Sequence, residues 1–251
     1  MSNFSQQDWL TQVSKGEIPN HESVLIRGTN GDVGTSFETI WPESNIYLFP
    51  TTDSTMTLSS DDANDTALGT GARVVIVEGL DINYNEIIEE VTLNGTSGVS
   101  TVNSYFRVNR LLLKPNGAGS SGFNEGIIYI GTGVITSGKP AVVVNLIPIN
   151  SSISQSGFYT VPSGKSLLSY TRTYGVDTGK SAVVVGTIVD QGVKYSVSTV
   201  PIIENTYQID DEPPFLVGEK QDIIFTSIST SGGGVSSSVS VRVTNVLYTP
   251  L

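Results

Sequence analysis

The chain contains no cysteine and a single histidine, His21. The first absence excludes disulfides and thiolate metal sites, so stability has to come from core burial or from contact between chains. The second excludes imidazole clusters within one chain and leaves nucleophilic catalysis with one possible imidazole base. Basic residues are scarce too. Lys and Arg number 13 against 24 Asp and Glu, a net charge of −11. Phosphate backbones and anionic membrane surfaces repel such a chain, so neither nucleic acid nor membrane is expected as a direct partner. Charged residues make up only 15%, below the usual ~25%, and Ser, Thr, Asn and Gly fill the polar positions instead. No apolar run approaches the ~20 residues that cross a bilayer as a helix. The opening MSNFSQQDWLTQV has neither a basic region nor an apolar core. No signal peptide is expected there, and the chain is expected to be soluble.

What the chain has in abundance is strand and turn signals, and residues 70–116 are the densest example. Residues 72–79 are apolar and β-branched, and residues 81–85 carry polar turn chemistry. Residues 86–93 form a second run ending at Asn94-Gly95, the strongest short hairpin signal. A third run, residues 104–114, stops at Pro115-Asn116-Gly117. Together they read as a β-meander. Further runs fall at residues 46–49, 55–59, 126–131, 141–147, 158–161, 167–174, 181–190, 193–200, 222–228 and 236–248. Tyr195, Val197 and Thr199 alternate with Lys194, Ser196 and Ser198, which predicts a strand with one wet face. Residues 210–214, acidic and proline-bearing, read as a loop. Many short strands at nearly regular spacing predict an all-β fold, a jelly-roll-like antiparallel β-sandwich.

The N-terminal region, residues 1–43, differs and reads as an extended arm carrying a short helix. Residues 5–13 are the one credible helix, with Ser5 as cap and Asp8 in its first turn. Trp9, Leu10 and Val13 share a face, Gly16 can end the helix, and Pro19 prevents its resumption. A two-turn helix is marginal alone, so its apolar face must dock. Two docking partners remain open, the chain's own body or a neighbouring subunit. On the second, Trp9, Leu10, Val13, Ile18, Val24 and Ile26 form a subunit-contact arm, and removing residues 2–42 leaves a folded sandwich that fails to assemble. Residues 24–27 form a short strand, followed by a turn-rich passage with Gly28, Asn30-Gly31 and Gly34. The body is then residues 44–251, as one sandwich or as two halves, 44–150 and 151–251. Thr70-Gly71 with Val74, Val75 and Gly79 faintly echoes Thr178-Gly179 with Val183, Val184 and Gly186. Either two similar halves or chance resemblance between two hairpins accounts for this.

No catalytic constellation emerges, and no enzyme activity, cofactor or metal is expected. His21 reads as a satisfied surface histidine. Gly69-Thr70-Gly71-Ala72 opens a strand and lacks the lysine of a phosphate loop. The acidic clusters Asp61-Asp62-Ala63-Asn64-Asp65 and Asp210-Asp211-Glu212 lack the spacing of a calcium loop; loop Asp and Asn more often bond their own backbone. Tyr105, Phe123, Tyr129, Tyr159, Tyr170 and Tyr174 are candidates for a sugar-stacking platform or for core. Arg107 and Arg110, three apart on one strand, point to opposite faces and make no basic stripe.

One order of motifs carries a family likeness. Val13-Ser14-Lys15-Gly16-Glu17-Ile18-Pro19-Asn20-His21-Glu22-Ser23 is followed by Gly31-Asp32-Val33-Gly34-Thr35-Ser36 and Ile40-Trp41. Then come Asp61-Asp62-Ala63-Asn64-Asp65-Thr66-Ala67, Gly69-Thr70-Gly71-Ala72-Arg73, Gly79-Leu80-Asp81 and Val91-Thr92-Leu93-Asn94-Gly95-Thr96. This order, over residues 13–110, resembles a group of tailed-bacteriophage virion structural proteins. Phe158-Tyr159-Thr160-Val161-Pro162-Ser163-Gly164-Lys165 resembles the β-sandwich that often accompanies it. The resemblance implies a particle component, assembled in the host cytoplasm, on the capsid exterior or in the tail. Its implied partners are copies of itself, as a homo-oligomer and by the habit of such proteins a trimer, and the major capsid protein or other virion proteins. A capsid decoration or cement protein is the favoured reading. A tail, fibre or collar component and a carbohydrate-binding module are the alternatives.

Overall fold

The structure, a computed structural model, describes residues 6–250, and of residues 6–8 the backbone alone. It is all-β and antiparallel, with one short N-terminal helix. The elements in order are α1 (Gln6–Ser14), β1 (His21–Val33), β2 (Glu38–Thr39), β3 (Ser54–Ser60), β4 (Val74–Leu80), β5 (Glu86–Thr92) and β6 (Val99–Tyr105). They continue with β7 (Arg107–Leu113), β8 (Ile128–Thr136), β9 (Lys139–Ile147), β10 (Phe158–Thr160), β11 (Ser166–Val176) and β12 (Ser181–Asp190). Last come β13 (Val193–Ile203), β14 (Thr206–Val217), β15 (Asp222–Ser229) and β16 (Ser237–Tyr248). The chain divides into two compact units. The first is Met1–Ile46 with Gly157–Leu251, and the second, Tyr47–Ser156, is inserted between its two parts.

The first unit has sheets β1-β16-β11-β14 and β10-β15-β12-β13, with β2 also paired to β15. Because β12 occupies the other edge of β15, β2 and β10 lie on the same edge, as two pieces of one interrupted strand. Counting them as one, the sheets run first-eighth-third-sixth and second-seventh-fourth-fifth in chain order. That is the strand order of an eight-stranded jelly roll. Both sheets bury their inward side chains in one core, with Ile26, Tyr174 and Val241 facing Val184, Ile223 and Phe225.

The interruption is closed by main-chain bonds. Ile40 N–H donates to Phe225 O (2.9 Å), Phe225 N–H to Gly157 O (2.8 Å), and Gly157 N–H to Ile40 O (2.9 Å). Space there admits no side chain. A Cβ on Gly157 would stand 2.7 Å from Ile40 O, and one on Gly28 would stand 2.4 Å from the same oxygen. Gly28 is therefore a strand residue selected for close approach. The turn-rich passage expected after residue 27 is instead the second half of β1, which pairs with β16 from His21 to Val33. Asn30 is likewise structural. Its Nδ2 donates to Thr39 O (3.1 Å) and Glu38 Oε2 (3.2 Å), and its Oδ1 accepts from Asp32 N–H and Ser44 Oγ. The division of arm from body at residues 43 and 44 is thereby corrected. β1 and β2 are integral strands, because without them β16 and β15 would lose their edge partners and the core its lid.

The second unit has sheets β6-β3-β8-β9 and β5-β4-β7. Residues 152–154 add a short strand beside β7, through Leu113 N–H to Ser152 O (2.8 Å) and Ser154 N–H to Leu111 O (2.9 Å). Counting from β9, with residues 152–154 second and β3 third, the two sheets again run first-eighth-third-sixth and second-seventh-fourth-fifth. The second unit is thus a circularly permuted jelly roll, opened between its second and third strands. Its core takes Met56, Leu58, Ile128 and Ile130 from one sheet and Val75, Val77, Val91 and Leu111 from the other.

The expected meander is corrected here. β4 and β5 form a hairpin around residues 81–85, but β7 pairs with β4, and β6 crosses to the other sheet. Asn94-Gly95 is a corner between sheets. Gly95 has φ +59, and Asn94 bridges both Thr66 and Ser97. The run 46–49 is not a strand. Residues 210–214 lie inside β14, an edge strand, where prolines are tolerated because no ladder bond is lost. The faint internal echo falls on β4 and β12, the fourth strand of each jelly roll.

Gly157→Ala is expected to lower the unfolding free energy of the first unit by about 1–3 kcal/mol, since its methyl meets backbone that must shift. Urea unfolding followed by near-ultraviolet dichroism measures this, and Gly31→Ala, whose methyl meets no neighbouring atom and whose backbone is not left-handed, separates crowding from loss of flexibility.

Candidate functional site

The six expected contact-arm residues divide between two places in the first unit. Val13 is buried against Tyr170 and Val246, with Trp9, Leu10, Ile18 and Leu168 around it. Val246 alternates with the inward Val243 and Leu247, so α1 lies on the outward face of its own sheet. Trp9 meets His21 edge-on (5.6 Å) and Tyr170 at a tilt (5.7 Å), and His21 stacks on Tyr248 (5.7 Å). His21 Nδ1–H donates to Pro19 O at 2.8 Å. The helix ends in a Schellman turn, with Gly16 at φ +72, Gly16 N–H to Val13 O, and Glu17 N–H to Gln12 O. The Ser5 cap lies outside the described residues, as does the side chain of Asp8. Val24 and Ile26 belong to the main core. The expectation of one contact arm is corrected accordingly. The helix docks on its own chain, and β1 fills its own sandwich.

The acidic clusters are bonded from within. Asp65 is fully buried, and its carboxylate accepts from Ser60 Oγ (2.6 Å), Ala72 N–H (2.7 Å), Gly126 N–H (2.9 Å) and Glu125 N–H (3.0 Å). Four donors fill the lone-pair directions of one carboxylate. Asp61 accepts from Ile127 N–H, and Asp62 from Asn64 N–H. In the second cluster, Asp211 takes a bidentate pair from Arg172 at 2.5 and 2.9 Å, and Asp210 accepts from Thr171 and Gln208. Among the described residues no group of three or more His, Asp or Glu is placed to hold a metal ion. Burial raises the pKa of Tyr105, with the charge of Glu89 adding to it. This tyrosine remains a neutral core ring.

The six aromatics do not make a platform. Tyr105, Tyr129, Tyr170 and Tyr174 are buried, Tyr159 packs on the core, and Phe123 alone is exposed. Arg107 is buried between Phe49 and Phe106 and donates to Pro50 O, while Arg110 is exposed and pairs with Glu78.

The strand with the most exposed edge, β13, was not distinguished in the sequence. It is the last strand of its sheet, so one row of its backbone groups faces no strand. Residues 193–197 are exposed on both faces, where one wet face was expected. Val193 and Tyr195 are each 53% exposed and Ile203 is 76% exposed. β14, the last strand of the other sheet, adds exposed Tyr207 and Leu216. The alternation was visible in sequence, but an edge strand looks the same as a half-buried one until its neighbours are known. Long apolar edges of this kind pair with other chains unless blocked, and on β13 only Lys194 and Pro201 act as blocks.

No protein-family model and no curated protein matches this chain. Among solved structures, infectious bursal disease virus of the Gt strain aligns at 12% identity over 92% of this chain and 74% of the other, with a TM-score of 0.23. The VP2 subviral particle of the same virus aligns at 10% identity over 96% and 81%, with a TM-score of 0.19. Superposition at that level is below what two chains of one fold give.

Two outcomes follow. Asp65→Asn, which turns an amide toward donors, is expected to destabilise the second unit by on the order of 3 kcal/mol in urea unfolding. Truncation after residue 16 should leave both sandwiches folded, whereas truncation after residue 42 should unfold the first unit. Amide exchange of β11 and β16 distinguishes these, and protection of both strands in the longer truncation would contradict the assignment of β1.

Proposed function

We propose that the chain is a virion structural protein that works through contact area between copies, as a capsid decoration or cement protein on the particle exterior. The observation that carries this reading is β13, whose residues 193–197 are exposed on both faces, Val193, Tyr195 and Val197 among them, at the edge of a jelly roll. A free edge of that length favours a second chain as its cover. Two jelly rolls in one chain support the same reading, since viral capsid domains are among the users of this fold. The likeness of residues 13–110 to tailed-bacteriophage virion proteins adds to it. The net charge of −11 suits an outward position, away from packaged nucleic acid.

Quantitative mass spectrometry of purified particles, with gold-labelled antibody imaging, tests the proposal. A copy number approaching that of the major shell protein, with label over the whole shell, is the expected result. Label at one vertex with few copies would replace decoration by the tail reading, and absence from particles would overturn a virion role.

A further inference from the structure

We infer that the uncovered half of the outer face of β1-β16-β11-β14 receives carboxylates of a second copy of this chain, between Arg27 and Arg242. The inference rests on the self-assembly reading above and names a surface for it. β1 and β16 are paired with Arg27 directly opposite Arg242. Both point outward, since Ile26, Val241 and Val243 beside them enter the core, and both are exposed. Directly opposed residues have Cβ atoms about 4.5–5.5 Å apart, and like charges so placed repel.

Among the described residues of the first unit no hydrogen bond or ion pair relieves that repulsion. The one acid among the outward residues of β1 and β16 is Asp32, five residues along β1 from Arg27 and beyond the bulge at residues 30–33. Across the next two strands the same row continues with Thr173 and Gln208. The nearest carboxylate on the face by register is that of Asp210, two strands from Arg242, and it is held by Thr171 Oγ1 and Gln208 Nε2. The other four arginines all have partners. Arg73 donates to Gly69 O, Arg107 to Pro50 O, Arg110 to Glu78 and Arg172 to Asp211. Arg27 and Arg242 have no hydrogen bond or ion pair among the described residues, and they are the two that face each other. In a chain with a net charge of −11, two adjacent unpaired guanidiniums form a strong local site for planar, bidentate carboxylate recognition.

Charge identifies the occupant. Each copy brings 24 acidic side chains, so a second copy supplies carboxylates at high density. The row lacks the aromatic rings on which a glycan would stack. α1, with Trp9, His21, Tyr170 and Tyr248, covers the other end of the face. The same charge constrains the symmetry. A two-fold contact centred on the pair would place four guanidiniums together, so no two-fold axis passes through the pair, and the proposed contact is the head-to-tail one, the arginine face of one copy on an acidic surface of the next. Such contacts close into rings or extend into lattices.

Sedimentation velocity of the full chain, the Arg27→Gln/Arg242→Gln double variant and the Arg27→Glu/Arg242→Glu double variant tests this. Wild type is expected to assemble, and assembly is expected to weaken between 50 and 500 mM NaCl, roughly as released ion pairs dictate. The Gln variant should lose at least about tenfold in association constant with an unchanged or raised melting temperature, because it also removes like-charge repulsion. Mixed with wild type, the Glu variant should still be captured through its intact acidic surface, giving short mixed oligomers. Assembly of the Gln variant at wild-type strength would overturn the assigned face while leaving the virion role to the particle measurement. Exclusion of the Glu variant from mixed oligomers would overturn the head-to-tail contact. A wild-type chain that stays monomeric, or that uses the pair only to bind sulfated or sialylated glycans, would overturn the choice of a second copy.

Discussion

Everything in the first unit depends on a strand made from two pieces of chain. Ile40 leaves the sheet after bonding Phe225, and Gly157 returns to bond the same residue and Ile40 itself. Gly28 approaches so closely that a methyl would overlap Ile40 O. The chain thereby closes one jelly roll around the point where it departs to build another. Insertion of a domain requires that its two ends be close. The second unit meets this by being opened between two strands consecutive in the jelly-roll order, with Pro50 near its start and residues 152–154 near its end both bonded to β7.

Permutation also explains how two jelly rolls fit one linear chain without tangled connections. In both, strands laid side by side come from distant parts of the chain, and the polar groups that fasten loops are correspondingly long-range. Asp65 binds the amides of Ala72, Glu125 and Gly126, and Asn124 gathers Gly126, Pro148 and the amides of residues 151 and 152. Buried acceptors and amides thus hold these loops in place.

Much of the strand content was legible in sequence, because β-branched runs bounded by Gly, Asn and Pro report it directly. β4, β5, β12, β15 and the hairpin β8–β9 fall close to the expected runs. What failed was pairing. Asn94-Gly95 has the composition of a hairpin turn but serves a crossing between sheets, since the register partner of β7 is β4. Gly28, Asn30 and Gly31 look like turn residues but lie in β1, where contact with Ile40, Gly157 and Thr39 decides their identity. The acids and prolines of residues 210–214 look like a loop but lie on an edge strand, with Asp211 neutralising buried Arg172. Of the acidic clusters Asp62 bonds its own turn as expected, through Asn64 N–H, whereas Asp61, Asp65 and Asp211 bind groups far along the chain. The faces proposed for contact were not legible, because Arg27 and Arg242 become neighbours only through the sheet.

The account makes the molecule's work a matter of surfaces left open by its own sandwich, the β13 edge and the paired arginines. A side-chain-resolution cryo-microscopy map of the assembled chain tests that claim most directly. The account predicts β13 covered by a neighbouring copy, and a neighbour's carboxylate between Arg27 and Arg242. A map in which both surfaces face solvent within a fully formed assembly would contradict it.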